Sequence, residues 1–262
     1  MKKLLIPFDF TNVSINALEY AIQFAGVRET TKINLLYISN KKLENKEENE
    51  LTEKFESLVK KYQPGSKPLI KYFIGTGSFT DTVVDFHKSL GIELIIMGTR
   101  GTEEGVESEI TKTSKFVLDA DLAVLVVPVS YKKFNLDKIL FTLGEDVMHD
   151  SSTLNVLLDV SRAFNAKVDV LTITPTPESV GYSKADELNE NTLQYYLENF
   201  YSHHSFSENE DILKGIDSYI EKNNIDLLAI MPKTHATGDS LSKGKLTMEV
   251  TLKSEIPVLI LD

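Results

Sequence analysis

The chain contains no cysteine and no tryptophan. The absence of cysteine excludes disulfide bonds, a thiolate metal centre and a thiol nucleophile, and it fits a reducing compartment, so a cytoplasmic location is expected. Long apolar runs are missing too, with nothing near the ~18 residues a bilayer span requires. The opening Met1-Lys2-Lys3-Leu4-Leu5-Ile6-Pro7-Phe8-Asp9 breaks its apolar stretch with a proline and an acid, so neither a span nor a signal peptide is expected, and no membrane partner. Positive charge is also scarce. The net charge is −11, and it is unevenly placed: residues 1–132 hold 17 Lys+Arg against 18 Asp+Glu, while residues 133–262 hold 11 against 21. Such a field favours solubility and repels phosphate backbones, so no nucleic-acid partner is expected.

Catalytic and metal-binding patterns are equally sparse. His203 and His204 are adjacent in an extended segment, where neighbouring side chains point to opposite faces and cannot converge on one metal. His87, His149 and His235 stand alone. There is no Gly-x-x-x-x-Gly-Lys-Ser/Thr loop, no Ser-His-Asp order and no carboxylate pair placed to hold magnesium, so no catalytic residue and no metal site is expected. Tyr195, Tyr196 and Tyr201 are expected to pack against or cover a core edge. Glu44 to Glu53 reads as the acidic start of a solvated helix.

What the chain does have is repetition. Lys3-Leu4-Leu5-Ile6 returns as Lys138-Ile139-Leu140-Phe141, and Lys32 to Ile38 returns as Lys167 to Ile173, both displaced by 135 residues. Ile92 to Met97 returns as Ile225 to Ile230, and Asp121 to Val127 as Glu255 to Leu261, displaced by 133 and 134. Four matches in the same order mark a duplication, with domains at 1–131 and 136–262 and a short linker around Ser130–Asp137. Each matched piece is a nearly continuous apolar run, the mark of a strand buried on both faces of a parallel sheet. A third strand is expected at Leu69–Ile74, with a weaker counterpart at Phe200–Ser205.

Helical stripes lie between the strands: Ile15, Leu18, Ala21, Ile22 and Ala25; Leu51, Phe55, Leu58, Val59 and Tyr62; and Val83, Val84, Phe86 and Leu90. In the second copy they are Leu154, Leu157, Leu158, Ser161 and Phe164, then Ile212, Ile216, Tyr219 and Ile220. Strand alternating with helix predicts two tandem α/β, Rossmann-like domains, each with five parallel strands flanked by helices. The final strands, 121–128 and 255–261, are apolar throughout and would be aggregation-prone as bare edges. Their pairing into an intramolecular pseudo-dimer is expected, and further homodimerisation is compatible with it.

Ligands of open α/β sheets bind at the carboxyl ends of the strands. Asp9 closes the first strand and can accept a hydrogen bond from a nucleoside. Met97-Gly98-Thr99-Arg100-Gly101 closes the fourth, where glycines permit close approach and Arg100 can meet a phosphate. By itself, Gly-x-x-Gly reads equally well as a plain turn.

With these residues the chain resembles the universal stress protein family, over both halves. Ile6-Pro7-Phe8-Asp9-Phe10-Thr11 looks like that family's first strand and following loop. Met97-Gly98-Thr99-Arg100-Gly101 looks like the start of its ATP signature, Gly-x-x-Gly followed after nine residues by Gly-Ser or Gly-Thr. The resemblance implies an adenine nucleotide alpha hydrolase-like sheet of order 3-2-1-4-5. It also implies a site for ATP or another adenine nucleotide, with Pro7, Asp9 and Ile38 at the adenine and ribose end, Met97 and Gly98 in the middle and Gly101 at the phosphate end.

The departure lies nine residues past Gly101. Thr111-Lys112, followed by Thr113, stands where Gly-Ser is expected, and Glu103, Glu104, Glu107 and Glu109 fill the interval. A β-branched Thr111 would narrow the phosphate space while Lys112 offers a cation, so a modified nucleotide site and a degenerate one remain alternatives. The second copy departs further, with Gly144 in the place of Asp9 and Met231-Pro232-Lys233-Thr234-His235 in place of the glycine turn, and no nucleotide is expected there. The resulting expectation is a non-enzymatic stress-response protein acting through protein contacts, with an adenine nucleotide in the first domain only. A nucleotide-hydrolysing enzyme, or a binder of another small molecule in the same cleft, is the alternative.

Overall fold

A computed structural model of the chain describes residues 1–26, 30–65, 67–101, 111–120, 122–144, 147–148, 151–174, 182–232 and 244–261. The described residues form two compact units that meet in sequence between Phe134 and Asn135.

The first unit runs β1 (Lys3–Pro7), α1 (Asn12–Ala25), β2 (Lys32–Ser39), α2 (Asn45–Tyr62), β3 (Leu69–Thr76), α3 (Phe79–Leu90), β4 (Leu94–Thr99), α4 (Lys112–Asp119) and β5 (Val124–Pro128). Its strands are all parallel, in the order β3-β2-β1-β4-β5. The second unit runs β6 (Lys138–Leu143), α5 (Leu154–Phe164), β7 (Lys167–Thr174), α6 (Lys184–Leu197), β8 (Tyr201–Glu208), α7 (Ile212–Asn223), β9 (Leu227–Ile230), α8 (Lys245–Lys253) and β10 (Val258–Ile260). Its order, β8-β7-β6-β9-β10, is the same 3-2-1-4-5 winding. The register repeats as well: Lys3 lies opposite Lys32 in one unit and Lys138 opposite Lys167 in the other.

The apolar runs become the inner strands because a central parallel strand must bury both faces. Leu4, Leu5, Ile6, Leu35 and Leu36 are fully buried in the first unit, as are Ile139, Leu140, Phe141 and Val170 in the second. Helix starts follow from side-chain capping, with Thr11, Ser78, Thr111, Ser183 and Asp211 each accepting a hydrogen bond from an amide in the first turn.

The structure departs from the sequence expectation in three places. First, the buried face of α1 is turned relative to the apolar stripe. Asn16, Ala17, Tyr20 and Phe24 are buried, while Ile15 and Ile22 are half-buried. The reason is local: the Asn16 amide donates to the Pro128 carbonyl at 3.0 Å and its oxygen accepts from Lys132 Nζ at 2.8 Å, while Tyr20 packs on Phe134 with ring centroids 5.0 Å apart. Second, β8 extends three residues past Ser205, to Glu208. As an outer strand it needs no continuous apolar run. Third, Tyr195 does not pack into a core edge; it is 77% exposed on α6, whereas Tyr196 and Tyr201 are half-buried.

His203 and His204 do lie on opposite sides of β8. His203 Nδ1 stands 3.3 Å from the Asp169 carboxylate of β7 and its Nε2 3.1 Å from the Tyr219 hydroxyl of α7. His204 Nε2 stands 2.9 Å from Thr172 Oγ1, its ring against Phe206. His149 and His235 lie outside the described residues.

Candidate functional site at the strand ends of the first unit

At the carboxyl ends of β1, β2 and β4, and at the starts of α1 and α4, a cavity of about 390 Å³ opens. That lies within the ~300–1,000 Å³ of small-molecule sites. Pro7, Asp9, Ile38, Met97, Gly98, Arg100, Thr111, Lys112 and Thr113 all line it, although they come from three strands, two loops and the start of α4, spread over more than a hundred residues of sequence. Gly101 is not among the lining residues; it turns the chain at φ +77°, a conformation suited to glycine. The intervening Glu103, Glu104, Glu107 and Glu109 lie outside the described residues.

Asp9 sits where β1 gives way to α1. Its Oδ1 accepts from the Thr11 hydroxyl at 2.6 Å and the Thr11 amide at 3.1 Å, and its own amide donates to Ser14 Oγ at 3.4 Å. Partial burial pushes the carboxyl up, but the two bonds from Thr11, the contact with Ser14 and the positive charge of Lys112 together hold it below the ordinary carboxylate value. Asp9 is therefore an anion and a hydrogen-bond acceptor at neutral pH. Between Asp9 and Thr11, Phe10 adopts φ +63°, held by ring contacts with Phe8, Phe55 and Tyr37.

Gly98 has a packing reason for being glycine. A Cβ there would stand 2.6 Å from Val13 Cγ1 and closer still to the Val13 carbonyl oxygen, so β4 and the start of α1 can approach only without a side chain. The β-branch of Thr111, which the sequence brings to notice, is not its whole role. It is the N-cap of α4: its hydroxyl accepts from the Ser114 amide at 3.1 Å, and Ser114 Oγ donates back to the Thr111 carbonyl at 3.1 Å. Thr113 Oγ1 donates to the Gly98 carbonyl at 3.0 Å and ties α4 to β4. Arg100 and Lys112 are exposed.

Sequence reasoning did not single out Phe8, Tyr37 and Phe79, which also form walls of the cavity. Their only sequence signal is position, at or just beyond the carboxyl end of a strand or at the start of a helix. The cap geometry was more accessible, because Thr111-Lys112-Thr113-Ser114 repeats the Thr-x-x-Ser of Thr11-Asn12-Val13-Ser14. In the second unit Gly144, Met231 and Pro232 are described, while Lys233, Thr234 and His235 lie outside the described residues. Among the described residues, no cluster of three or more His, Asp or Glu side chains is placed to hold a metal ion.

Residues 1–128 match the family model described as the universal stress protein family. Through its first unit, the chain belongs to the universal stress protein family. No curated protein sequence matches it. Among solved structures, the fold is similar to a universal stress protein from Archaeoglobus fulgidus DSM 4304, with 18% identity, TM-score 0.74, and 99% of this chain and 98% of that one covered. A putative universal stress protein from Pseudomonas aeruginosa UCBPP-PA14 is similar at 18% identity and TM-score 0.65, covering 100% and 93%. The cytoplasmic domain of a prokaryotic cation chloride cotransporter is similar at 14% identity and TM-score 0.55, covering 100% and 95%. A likeness at these identities concerns the fold, which hosts more than one function. Among the described residues no helix is long and apolar enough to cross a membrane.

Proposed function

We propose that this universal stress protein binds an adenine nucleotide in the cavity of its first unit and acts through protein contacts, without catalysing a reaction on the ligand. One observation carries the reading: nine residues singled out for a nucleotide site converge on one cavity, with an anionic acceptor at Asp9 and two cations at Arg100 and Lys112. Asp9 would accept a hydroxyl or amino hydrogen of the nucleoside, Met97, Tyr37 and Phe79 would cover its apolar faces, and the cations would lie toward phosphate. Among the described residues of the lining Asp9 is the single carboxylate, and this supports a binding role.

Calorimetric titration with adenosine, AMP, ADP and ATP tests the reading, with binding to at least one of them as the expected result. Asp9→Ala is expected to weaken it by about tenfold or more, since losing a hydrogen bond to a charged group costs about 1.5–3 kcal/mol. ATP turnover above background that disappears in Asp9→Ala would replace a binding role with an enzymatic one. The pairing of β5 with β10 within one chain belongs to the same proposal and rests on their apolar sequence.

A further inference from the structure

We infer that the face of the second unit between α6 and the outer strand β8 docks a basic segment of a protein partner, with Glu190 and the rings of Tyr182, Tyr201 and Phe206 receiving an arginine side chain. The inference rests on the action through protein contacts proposed above. It adds which face makes the contact and what charge the partner carries.

The first observation is charge. From β7 to the cap of α7, residues 168–211, the sequence holds nine Asp and Glu against one cation, Lys184. The corresponding stretch of the first unit, residues 33–78 from β2 to the cap of α3, holds six Glu against eight Lys. The counts cover every residue of each stretch: Pro175 to Gly181, which lie outside the described residues, add Glu178 and no cation. Arg162 of α5 and Lys167 of β7 meet α6 at its carboxyl end, where Arg162 stands 3.6 Å from Glu198 and Lys167 Nζ donates to the Asn199 carbonyl. The excess of acid attracts a cationic partner and repels an anionic one.

The second observation is geometry. The register of β8 on β7 slips by one residue at Ser202. An extra residue of this kind re-aims the side chains of an outer strand, and here Tyr201, His204 and Phe206 fall on the α6 side. Glu190 of α6 accepts from the Tyr182 hydroxyl at 2.6 Å, the Tyr201 hydroxyl at 3.0 Å and the Gln194 side-chain amide at 3.2 Å. The bond from Tyr182, ahead of those from Tyr201 and Gln194, holds its carboxyl below the ordinary carboxylate value. The Phe206 ring lies 5.9 Å from that of Tyr182 and 4.2 Å from that of His204. Tyr182 is 58% exposed and Phe206 39%. Open aromatic surface thus lies beside an ionised carboxylate, and a cation gains from both. A guanidinium gains more than an ammonium, because its plane stacks on the rings as well as pairing with the carboxylate.

The test uses fluorescence anisotropy of the intact protein with labelled octa-arginine and octalysine peptides. Octa-arginine is expected to bind several-fold more tightly than octalysine. Glu190→Gln should weaken it by about fivefold. Phe206→Ala should weaken it by about threefold and remove the preference for arginine. Glu56→Gln, the same charge change on exposed α2, should leave it unaltered. Failure of octa-arginine to bind, equal binding of the two peptides, or an equal loss in Glu56→Gln and Glu190→Gln would overturn the inference. In cells, a photocrosslinking residue at Asn191 of α6 should give protein adducts that disappear in Glu190→Gln. Adducts through Ser57 of α2 with none through Asn191 would overturn the inference alone. Adducts through neither would count against action through protein contacts as well.

Discussion

The two units share a sheet order and a register, yet their strand ends are built differently. In the first, β1 ends in an anchored carboxylate and β4 ends in Gly98, which lets Val13 at the start of α1 come close. In the second, Gly144 stands at the position of Asp9 and Met231 at that of Gly98. The Met231 sulfur receives the Thr153 hydroxyl at 3.7 Å, so a side chain lies against the start of α5. The helix starts differ in kind too: Thr11 and Thr111 cap α1 and α4 through their hydroxyls, whereas Thr153 and Gly244 make no side-chain cap bond to α5 and α8. The scaffold therefore tolerates exchange of the residues at its strand ends, since the register that holds the sheet together depends on the strand interiors.

The largest expected effect concerns the packing beneath the site. Phe55 is fully buried between Phe10 at 4.7 Å and Tyr72 at 4.8 Å, an aromatic column that positions the Asp9 loop. Phe55→Ala should cost about 3–5 kcal/mol. Hydrogen exchange read by mass spectrometry should show protection lost across residues 1–128 and kept in β6, β7 and β9. Equal loss in both would mean that the units unfold as one and would break the comparison.

A smaller effect exchanges the distinguishing residue itself. Gly98→Met places in the first unit what the second has at Met231. Overpacking against Val13 should cost about 1–3 kcal/mol, and nucleotide binding by the first unit should fall at least tenfold. A variant that binds nucleotide as the native protein does would show that Met231 is not what distinguishes the two strand ends.

The inner strands and the winding were legible because central parallel strands must be apolar on both faces, and Leu4 to Ile6 or Leu227 to Ile230 can hardly be read otherwise. The second helix of the second unit was not legible. Its buried stripe is Asp186, Asn189, Leu193 and Leu197, in which an acid and an amide occupy positions a pattern search assigns to solvent. Asp186 is buried because it accepts from the Ser183 amide and hydroxyl, and Asn189 because it accepts from the Met148 amide at 2.8 Å. At the candidate site, Asp9 and Gly98 stood out by their place at the strand ends and Thr111 by its departure from the family's ATP signature. Phe8, Tyr37 and Phe79 did not, since an apolar wall residue differs from a core residue only in where the fold puts it.

The smallest expected effect tests whether the units respond alike to acid. Among the described residues, each contains one partly buried histidine whose Nδ1 has no hydrogen-bond partner, His87 on α3 and His204 on β8. Burial lowers both from the usual imidazole value. The charge of Lys88 reinforces this at His87, while Asp186 and Glu190 oppose it at His204. In both cases the unfolded chain takes up a proton at higher pH than the folded one. The stability contributed by the neutral ring is therefore present above the ordinary histidine pKa of about 6.5 and declines as pH falls below it. Urea midpoints measured from pH 7.5 down to 5 should fall in the native protein, and less in His87→Gln/His204→Gln. With Asp186→Asn the decline in the second unit should steepen, because a carboxylate that favours the protonated ring is gone. No corresponding change should follow in the first unit, where Lys88 supplies charge of the opposite sign.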